Sequence, residues 1–528
     1  MQRVSSTGSD LQDLTSTESG EKIYNVSRSR LLGLINWVHV FGTYLPIAWF
    51  IVMGVLICQV TSVLYELRFD LTKFWLNEVN SLTFERPVAF DLGWKTMAIF
   101  ALGIWYLNNR EKPVYLIDFS TFEPPDSWKL SPEQVLDIMK KQGTYTDESI
   151  EFQEKILKRS GCGPATAWPP SIVACLSTGK PQDVSVQAAR EESEIVIFDC
   201  VRQVLESTNT KPKDVDILVI NCSLFSPTPS LCSMVINEFN MRSDIASYNL
   251  SGMGCSAGVI SIELARSLLA SRPNSTALVV STENLTQNLY TGNEKSFLLQ
   301  NTLFRCGGAA IVLSNKWMDG LRSHFKLLTA VRTQYVTEDS FKCVYEEEDA
   351  NRQRGVKLSK EIVKVAGRAM EKNFTTLGPQ VLPVSEQVKT GFWMLINYLS
   401  KKLNKMGIKM KRYDPYVPDF KRGIDHFCIH AGGRAVIDGI EKNLKLTPEH
   451  AAASRHALNK YGNTSSSSIW YEMMYIKENS NLRRGQRILQ VAFGSGFKCN
   501  SCVWLCIKTP SNNKKSVSGG ATQKDKDA

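Results

Sequence analysis

The sequence predicts an α/β protein with sheets covered on both faces, carried behind an N-terminal membrane hairpin. Two patterns lead to this reading. Short apolar runs alternate with helical periodicity between about residue 113 and residue 508, and a long segment near the N-terminus carries no charge. At 528 residues and 43% hydrophobic, the chain can bury a sizeable core.

The runs DVDILVIN (214–221), TALVVSTEN (276–284), GGAAIVLS (307–314), HFCIH (426–430) and ILQVAFGSG (488–496) read as buried strands. Segments 186–206, 256–270 and 433–444 place apolar residues at helical spacing. Strands alternating with helices over this length make layered α/β architecture. Two stretches share a design: an apolar run leads through a glycine turn into an amphipathic helix, with Cys255 at one turn and His430 at the other. This hints at internal duplication.

From Leu31 to Tyr65 there is no Asp, Glu, Lys or Arg, enough for the roughly 20 apolar residues that a spanning helix needs. Val88 to Leu107 is a weaker apolar stretch, with Asp91 and Lys95 near its start and Trp105 and Tyr106 near its end. It reads as a shorter span or an interfacial helix. The first segment begins too far in and is too long for a cleavable signal peptide. Lys22, Arg28 and Arg30 precede the pair and Arg110 and Lys112 follow it, which puts both outer ends in the cytosol. A buried helical hairpin inside a soluble domain is the competing reading.

The formal charge of +10, with a pI near 8.9, suits anionic partners such as phosphates or a lipid surface. No helix-turn-helix spacing, zinc-finger framework or arginine–aromatic stripe points to nucleic acid. Thirteen scattered cysteines do not form the framework of a small secreted domain, so reduced thiols are expected. Cys499 and Cys502 form a lone C-x-x-C that Cys506 extends at the spacing of a packed strand, and buried thiols are the reading. The stretch from Val384 to Arg412 joins Phe392, Trp393, Leu395, Ile396 and Leu399 to Lys401, Lys402, Lys405, Lys409, Lys411 and Arg412. It is either a connector with a solvated charged face or a segment lying on an anionic membrane.

Four places hold residues able to do chemistry. In NLSGMGCSAG, Cys255 sits among small residues ahead of a helix, where unpaired N–H groups and the helix dipole favour a thiolate, although a packed core thiol fits the position equally. His426 and His430 flank one short strand, and His430, at the glycine turn, is the better placed to reach a ligand. Asn463 precedes five small polar residues and a helical pattern, as an N-cap or as an amide aimed into a site. The turn Phe493, Gly494, Ser495, Gly496 follows a strand and offers backbone N–H groups to a carbonyl oxygen, or is a plain tight turn.

In this order, NCSLFSPTPSL, YNLSGMGCSAGVISIELA, VVSTEN, HFCIHAGGRAVID, YGNTSSSSIWYEM and AFGSGFKCNS closely resemble the plant 3-ketoacyl-CoA synthases. These are membrane-bound condensing enzymes of very-long-chain fatty acid elongation, in the thiolase-like superfamily and related to chalcone synthases. The resemblance covers about 113–507. It implies a duplicated, five-layered α/β/α/β/α fold behind the transmembrane hairpin. The chain then divides into a disordered tail (1–30), two membrane helices (31–110), a half with the nucleophile (111–412), a half with His and Asn (413–508) and a disordered tail (509–528).

The resemblance also implies catalysis by Cys255, His430 and Asn463, with His426 and the loop Phe493–Gly496 in support. The substrates are an acyl-CoA and malonyl-CoA, without metal or redox cofactor. A homodimer at the endoplasmic reticulum membrane, its catalytic part cytosolic, works with a ketoacyl-CoA reductase, a hydroxyacyl-CoA dehydratase and an enoyl-CoA reductase. Where members usually carry VRTH this chain has VRTQ, so Gln334 replaces a histidine, a departure that bears on activity or substrate preference. A polyketide-type condensing enzyme and a catalytically weak regulatory subunit are the alternative readings.

Overall fold

The computed structural model describes residues 113–405 and 416–509, with Tyr65 and Thr72. The tail expected at 1–30, the hairpin expected at 31–110, the basic residues Lys409, Lys411 and Arg412 and the tail after Thr509 lie outside the described residues. The chain divides into two units, Met1–Leu102 and Gly103–Ala528, and the sheet and its covering helices belong to the second. Among the described residues, no helix is long and apolar enough to cross a membrane.

Nine strands make the main sheet: β1 (Tyr115–Thr121), β2 (Ile217–Asn221), β3 (Ala246–Leu250), β4 (Thr276–Thr282), β5 (Gly308–Ser314), β6 (Phe325–Gln334), β7 (His426–Ile429), β8 (Arg487–Gly494) and β9 (Lys498–Cys506). Their order is β7-β8-β9-β6-β1-β5-β4-β2-β3. Every residue of β2, β4 and β5 is buried, as continuous apolar runs require of strands covered on both faces. The two groups of strands join only where Tyr115 and Leu116 of β1 meet Lys326 and Phe325 of β6. Phe325–Gln334, on the N-terminal side of the boundary expected at 412, pairs along its length with β9.

Helices α1 (Val186–Ser207), α2 (Ala257–Ser271), α3 (Ile362–Val381), α4 (Val384–Lys405), α5 (Arg434–Leu444), α6 (Pro448–Tyr461) and α7 (Ser468–Asn479) supply the other layers. The core divides accordingly. One cluster packs α1 (Val196, Ile197, Val201) on one face of the first strands (Leu218, Ile220, Val280). A second joins α2 (Val259, Ile262, Leu269) and α7 (Ile469, Trp470, Met473) to strands of both groups, including Val219, Val279, Ile488 and Trp504. A third packs α3 and α5 on the outer face of β7, β8 and β9. Helix, sheet, helix, sheet, helix is the five-layer stack, and α2 and α7, buried on most sides, are its middle.

The duplication is therefore paired differently from the sequence hint. The counterpart of the Cys255 turn and α2 is the turn Ser465–Ser467 with α7, both being a 3₁₀ turn running into a central helix. The His430 turn leads instead into α5, whose Val436, Ile440 and Leu444 face the outer layer. Cys499 and Cys502 are buried on opposite faces of β9, in the outer and central clusters respectively, so they form neither a redox pair nor half a metal site.

The two central helices meet end to end with no room to spare: a Cβ on Gly258 would run into the Ser466 carbonyl oxygen. Gly258→Ala is expected to destabilise the fold by about 1–3 kcal/mol through overpacking against backbone. Thermal unfolding of the variant beside the parent checks this, and an unchanged midpoint would show that the helix ends part freely.

Candidate active site

The first group of side chains comes from β3, whose chain turns at Gly254 (φ +66) and enters the 3₁₀ turn Gly254–Ser256 ahead of α2. The left-handed backbone suits glycine, and a Cβ there would come within 2.5 Å of the Ser495 nitrogen. Gly254 N–H donates to Ser223 Oγ at 2.9 Å, which pins the turn. Cys255 is half-buried, a state shared among the described cysteines only with Cys162. The buried thiols Cys200, Cys222, Cys306 and Cys428 are pushed far above their usual range by burial and are inert.

Burial also pushes the Cys255 thiol up, to about 11; the Ser465 hydroxyl opposes the shift and the Glu283 carboxylate adds to it. Burial thus works against the helix end that favours a thiolate at this sulfur. The resting group is a thiol, because the cost of desolvating a thiolate exceeds what the turn returns.

The second group comes from the other central helix. α6 ends at Gly462, and Asn463 is held by backbone bonds to Leu303 O and Arg305 N, both 2.9 Å. Asn463 Oδ1 accepts the Ser465 N–H at 2.9 Å, supporting Ser465 in a left-handed conformation (φ +56). The capping and functional readings of Asn463 are compatible, since Oδ1 makes the turn and Nδ2 makes no hydrogen bond within the described residues. His430 follows β7, is buried, and its Nδ1 lies 2.5 Å from Ser468 Oγ. Burial lowers its pKa to about 4, so the imidazole is neutral near pH 7. In the tautomer in which Ser468 O–H donates to Nδ1, the ring proton sits on Nε2.

The segment Asn463–Ser468 thus touches all three predicted residues, since Ser465 Oγ lies 3.5 Å from Cys255 Sγ. The predicted loop joins them. Gly494 packs on Ser256 and Met253 so closely that a side chain there would collide with both. Ser495 O accepts from Lys498 Nζ at 2.7 Å and Gly496 O from Gln334 Nε2 at 3.2 Å.

His426 is not brought to the site. It opens β7, four residues before His430, which in a strand at about 3.3 Å per residue sets it roughly 13 Å away. There it meets Gln486 Oε1 at 3.3 Å. Sharing a face did not mean sharing an end.

Two further residues emerge that sequence reading passed over. Ser465 Oγ stands 3.0 Å from Glu283 Oε2, and Glu283 Oε1 accepts from Ser223 N (2.9 Å), Leu224 N (2.8 Å) and the Cys222 thiol (3.4 Å). Burial raises the Glu283 pKa against those hydrogen bonds. A continuous path, Sγ to Oγ to carboxylate, therefore leads away from Cys255. Glu283 belongs to the motif VVSTEN, where a carboxylate beside fully buried strand residues was the available signal.

Beside this path is a small, partly open pocket lined by Trp168, Ile172, Leu224, Leu285, Asn288, Leu289, Gln300, Asn301 and Phe304. Leu224 is bonded to Glu283 and Phe304 is bridged to Asn463, so the pocket adjoins both arms of the site. Its polar side chains are spent on backbone: Gln300 on Asn288 O and Val356 N, Asn301 on Tyr290, Asn288 on Asn284 O. The rest of the lining is largely apolar, apart from Trp168 Nε1, which is buried with no hydrogen-bond partner among the described residues.

Residues 106–403 match the family described as FAE1/type III polyketide synthase-like protein, and 421–506 match the 3-oxoacyl-[acyl-carrier-protein] synthase III C-terminal family. The chain is 50% identical over 418 residues to 3-ketoacyl-CoA synthase 4 of Arabidopsis thaliana, covering 79% of this chain and 78% of that one. With 3-ketoacyl-CoA synthase 9 of the same plant the identity is 47% over 467 residues, covering 88% and 86%. Among solved structures, a fungal type III polyketide synthase superposes with a TM-score of 0.57 at 17% identity, covering 74% of this chain and 99% of that one. A Streptomyces coelicolor tetrahydroxynaphthalene synthase gives 0.56 at 17% identity, covering 75% and 99%. The structural likeness establishes a thiolase-like fold for the described unit, and the sequence identity establishes more: the chain belongs to the 3-ketoacyl-CoA synthase family.

Proposed function

We propose that this enzyme condenses malonyl-CoA with a long-chain acyl-CoA, through an acyl group held on Cys255, to give a 3-ketoacyl-CoA two carbons longer, CoA and CO₂. The observation that carries the assignment of residues is the single turn Asn463–Ser468, tied at one end to Cys255 and at the other to His430. The reaction begins with loss of the thiol proton through Ser465 to Glu283. The thiolate attacks the thioester carbonyl, and CoA leaves as a thiolate.

Malonyl-CoA then loses CO₂, and the negative charge gathers on its thioester oxygen. His430 Nε2–H and Asn463 Nδ2–H, each without another hydrogen-bond partner among the described residues, stabilise that enolate, each by on the order of 3 kcal/mol. The enolate carbon attacks the acyl-cysteine, and N–H groups of Cys255 and the loop Phe493–Gly496 hold the second oxyanion. The acyl chain enters along the apolar lining of the pocket beside Glu283 and Asn463. Homodimerisation, a place in the endoplasmic reticulum membrane with the catalytic part in the cytosol, and partnership with the reductases and dehydratase of elongation complete the reading.

Membranes containing the chain are expected to incorporate labelled malonyl-CoA into longer acyl products, and Cys255→Ala to abolish incorporation; equal incorporation by that variant would sink the mechanism. His430→Ala and Asn463→Ala should block condensation while the acyl-cysteine still forms, read by trapping labelled acyl groups on protein. If either prevents only acylation, the enolate assignment fails.

Glu283→Gln should slow acylation by roughly 10² near neutral pH, the scale of a general base. Because the Cys255 pKa is raised to about 11, the variant's rate should climb about tenfold per pH unit through neutrality as thiolate forms directly. The parent's profile should be flatter, and identical profiles would remove Glu283 from the proton path. Leu289→Trp, which fills the pocket, should move the product distribution toward shorter chains with acylation by short acyl-CoA retained, as chromatography of the fatty acids formed would show. An unmoved distribution would place the acyl chain elsewhere.

A further inference from the structure

Helix α4 is built inside out. Its inward positions hold Glu386 and Ser400, each 1% exposed, while Val388, Phe392, Leu395 and Leu399 face outward at 64%, 61%, 53% and 44% exposure. Spacings of four, three and four residues put those four side chains in one stripe along the helix. A helix on a water-facing surface has the opposite arrangement.

The charges on α4 are equally one-sided. Glu386 is the acidic residue of the helix, and it is engaged by Lys389, Arg422 and the Tyr416 hydroxyl beneath the helix. No carboxylate of α4 therefore faces out, whereas Lys401 and Lys402 are exposed at the C-terminal end of the stripe. A second copy laid on this face in parallel would set its lysines against these, and an ordinary acidic protein surface would leave the apolar stripe unmatched. An apolar stripe ending in lysines matches a layered partner, hydrocarbon below and phosphate above.

We propose that α4 is a membrane-facing helix of the catalytic unit, its outward stripe entering the interface of an anionic bilayer while Lys401 and Lys402 meet lipid phosphates. This surface is separate from the residues assigned to the condensing reaction.

The test uses the full chain reconstituted into vesicles of phosphatidylcholine and phosphatidylserine, with a bimane label on Phe392→Cys and the chain lacking that cysteine as the labelling control. The expected result is a blue-shifted emission quenched by nitroxide-labelled lipid and shielded from aqueous iodide. Quenching by iodide alone would overturn the proposal by placing the stripe in water. Protection from both quenchers would overturn it by showing that protein, an N-terminal segment or a second copy, covers the helix. Adding Lys401→Glu with Lys402→Glu should reduce the lipid quenching in these vesicles but not in phosphatidylcholine alone; an equal effect in both would remove the lysines from the contact. Incorporation of malonyl-CoA measured on the same samples reports the condensing reaction separately, so either reading can fail alone.

Discussion

The contact on which the site depends is the meeting of the N-terminal ends of α2 and α7 in the middle layer, where Gly258 lies against the Ser466 carbonyl. Each helix is preceded by a 3₁₀ turn carrying the reactive group of its half, Cys255 on one and the Asn463–Ser465 corner on the other. Bringing the ends together places two sets of unpaired N–H groups and two positive dipole ends around one spot. That arrangement is unfavourable when the spot is empty of charge and favourable when an oxyanion develops there. The large apolar cluster around both helices holds them in place, so the electrostatic strain is borne by packing elsewhere in the layer.

Desolvation sets the protonation states inside this space. It keeps Cys255 a thiol, with a pKa near 11, and His430 a neutral imidazole, with a pKa near 4. A neutral ring cannot form an ion pair with a thiolate, and the carboxylate of Glu283 stands on the other side of Ser465 from the sulfur, 3.0 Å from the hydroxyl that lies 3.5 Å from Sγ. The same neutrality suits the later step. An imidazolium beside a fresh enolate would protonate it, whereas a neutral N–H polarises the oxygen and leaves the carbon nucleophilic.

Continuous apolar runs were the most legible features: β4, β5 and β8 begin and end within two residues of the segments that periodicity marked. β3 went unmarked because its residues Ala246–Leu250 are partly exposed and polar, and β6 because its buried and half-buried positions alternate beside charged neighbours. Cys255, His430 and Asn463 were legible as turn residues, but their union was visible only through resemblance, since 33 residues separate the last two and far more the first. His426 shares a strand face with His430, but parity along a strand fixes the face and leaves distance open, which is why His430 was the better placed of the two. Ser465 and Glu283 were hidden for a plainer reason: a serine in a run of serines and a glutamate at the end of a strand have no periodic signature, and only the fold sets them 3.0 Å apart.

Gln334, where the resemblance implies a histidine, is held by the same geometry. Gln334 lies opposite Lys498 in the β6–β9 register, so both side chains stand beside the loop that follows β8. Gln334 Nε2 donates to Gly496 O and Lys498 Nζ to Ser495 O. Two successive carbonyls are thus drawn to one side, which leaves the loop's N–H groups toward the Cys255 turn, where the Ser495 nitrogen already crowds Gly254. A histidine ring and a glutamine amide both offer an N–H at the end of a planar side chain, and a donor is what the Gly496 carbonyl asks for. The difference lies in titration: the amide donates at every pH, whereas a ring can lose or exchange its donor as its protonation changes. In this chain the donor to the Gly496 carbonyl is therefore a group that does not titrate.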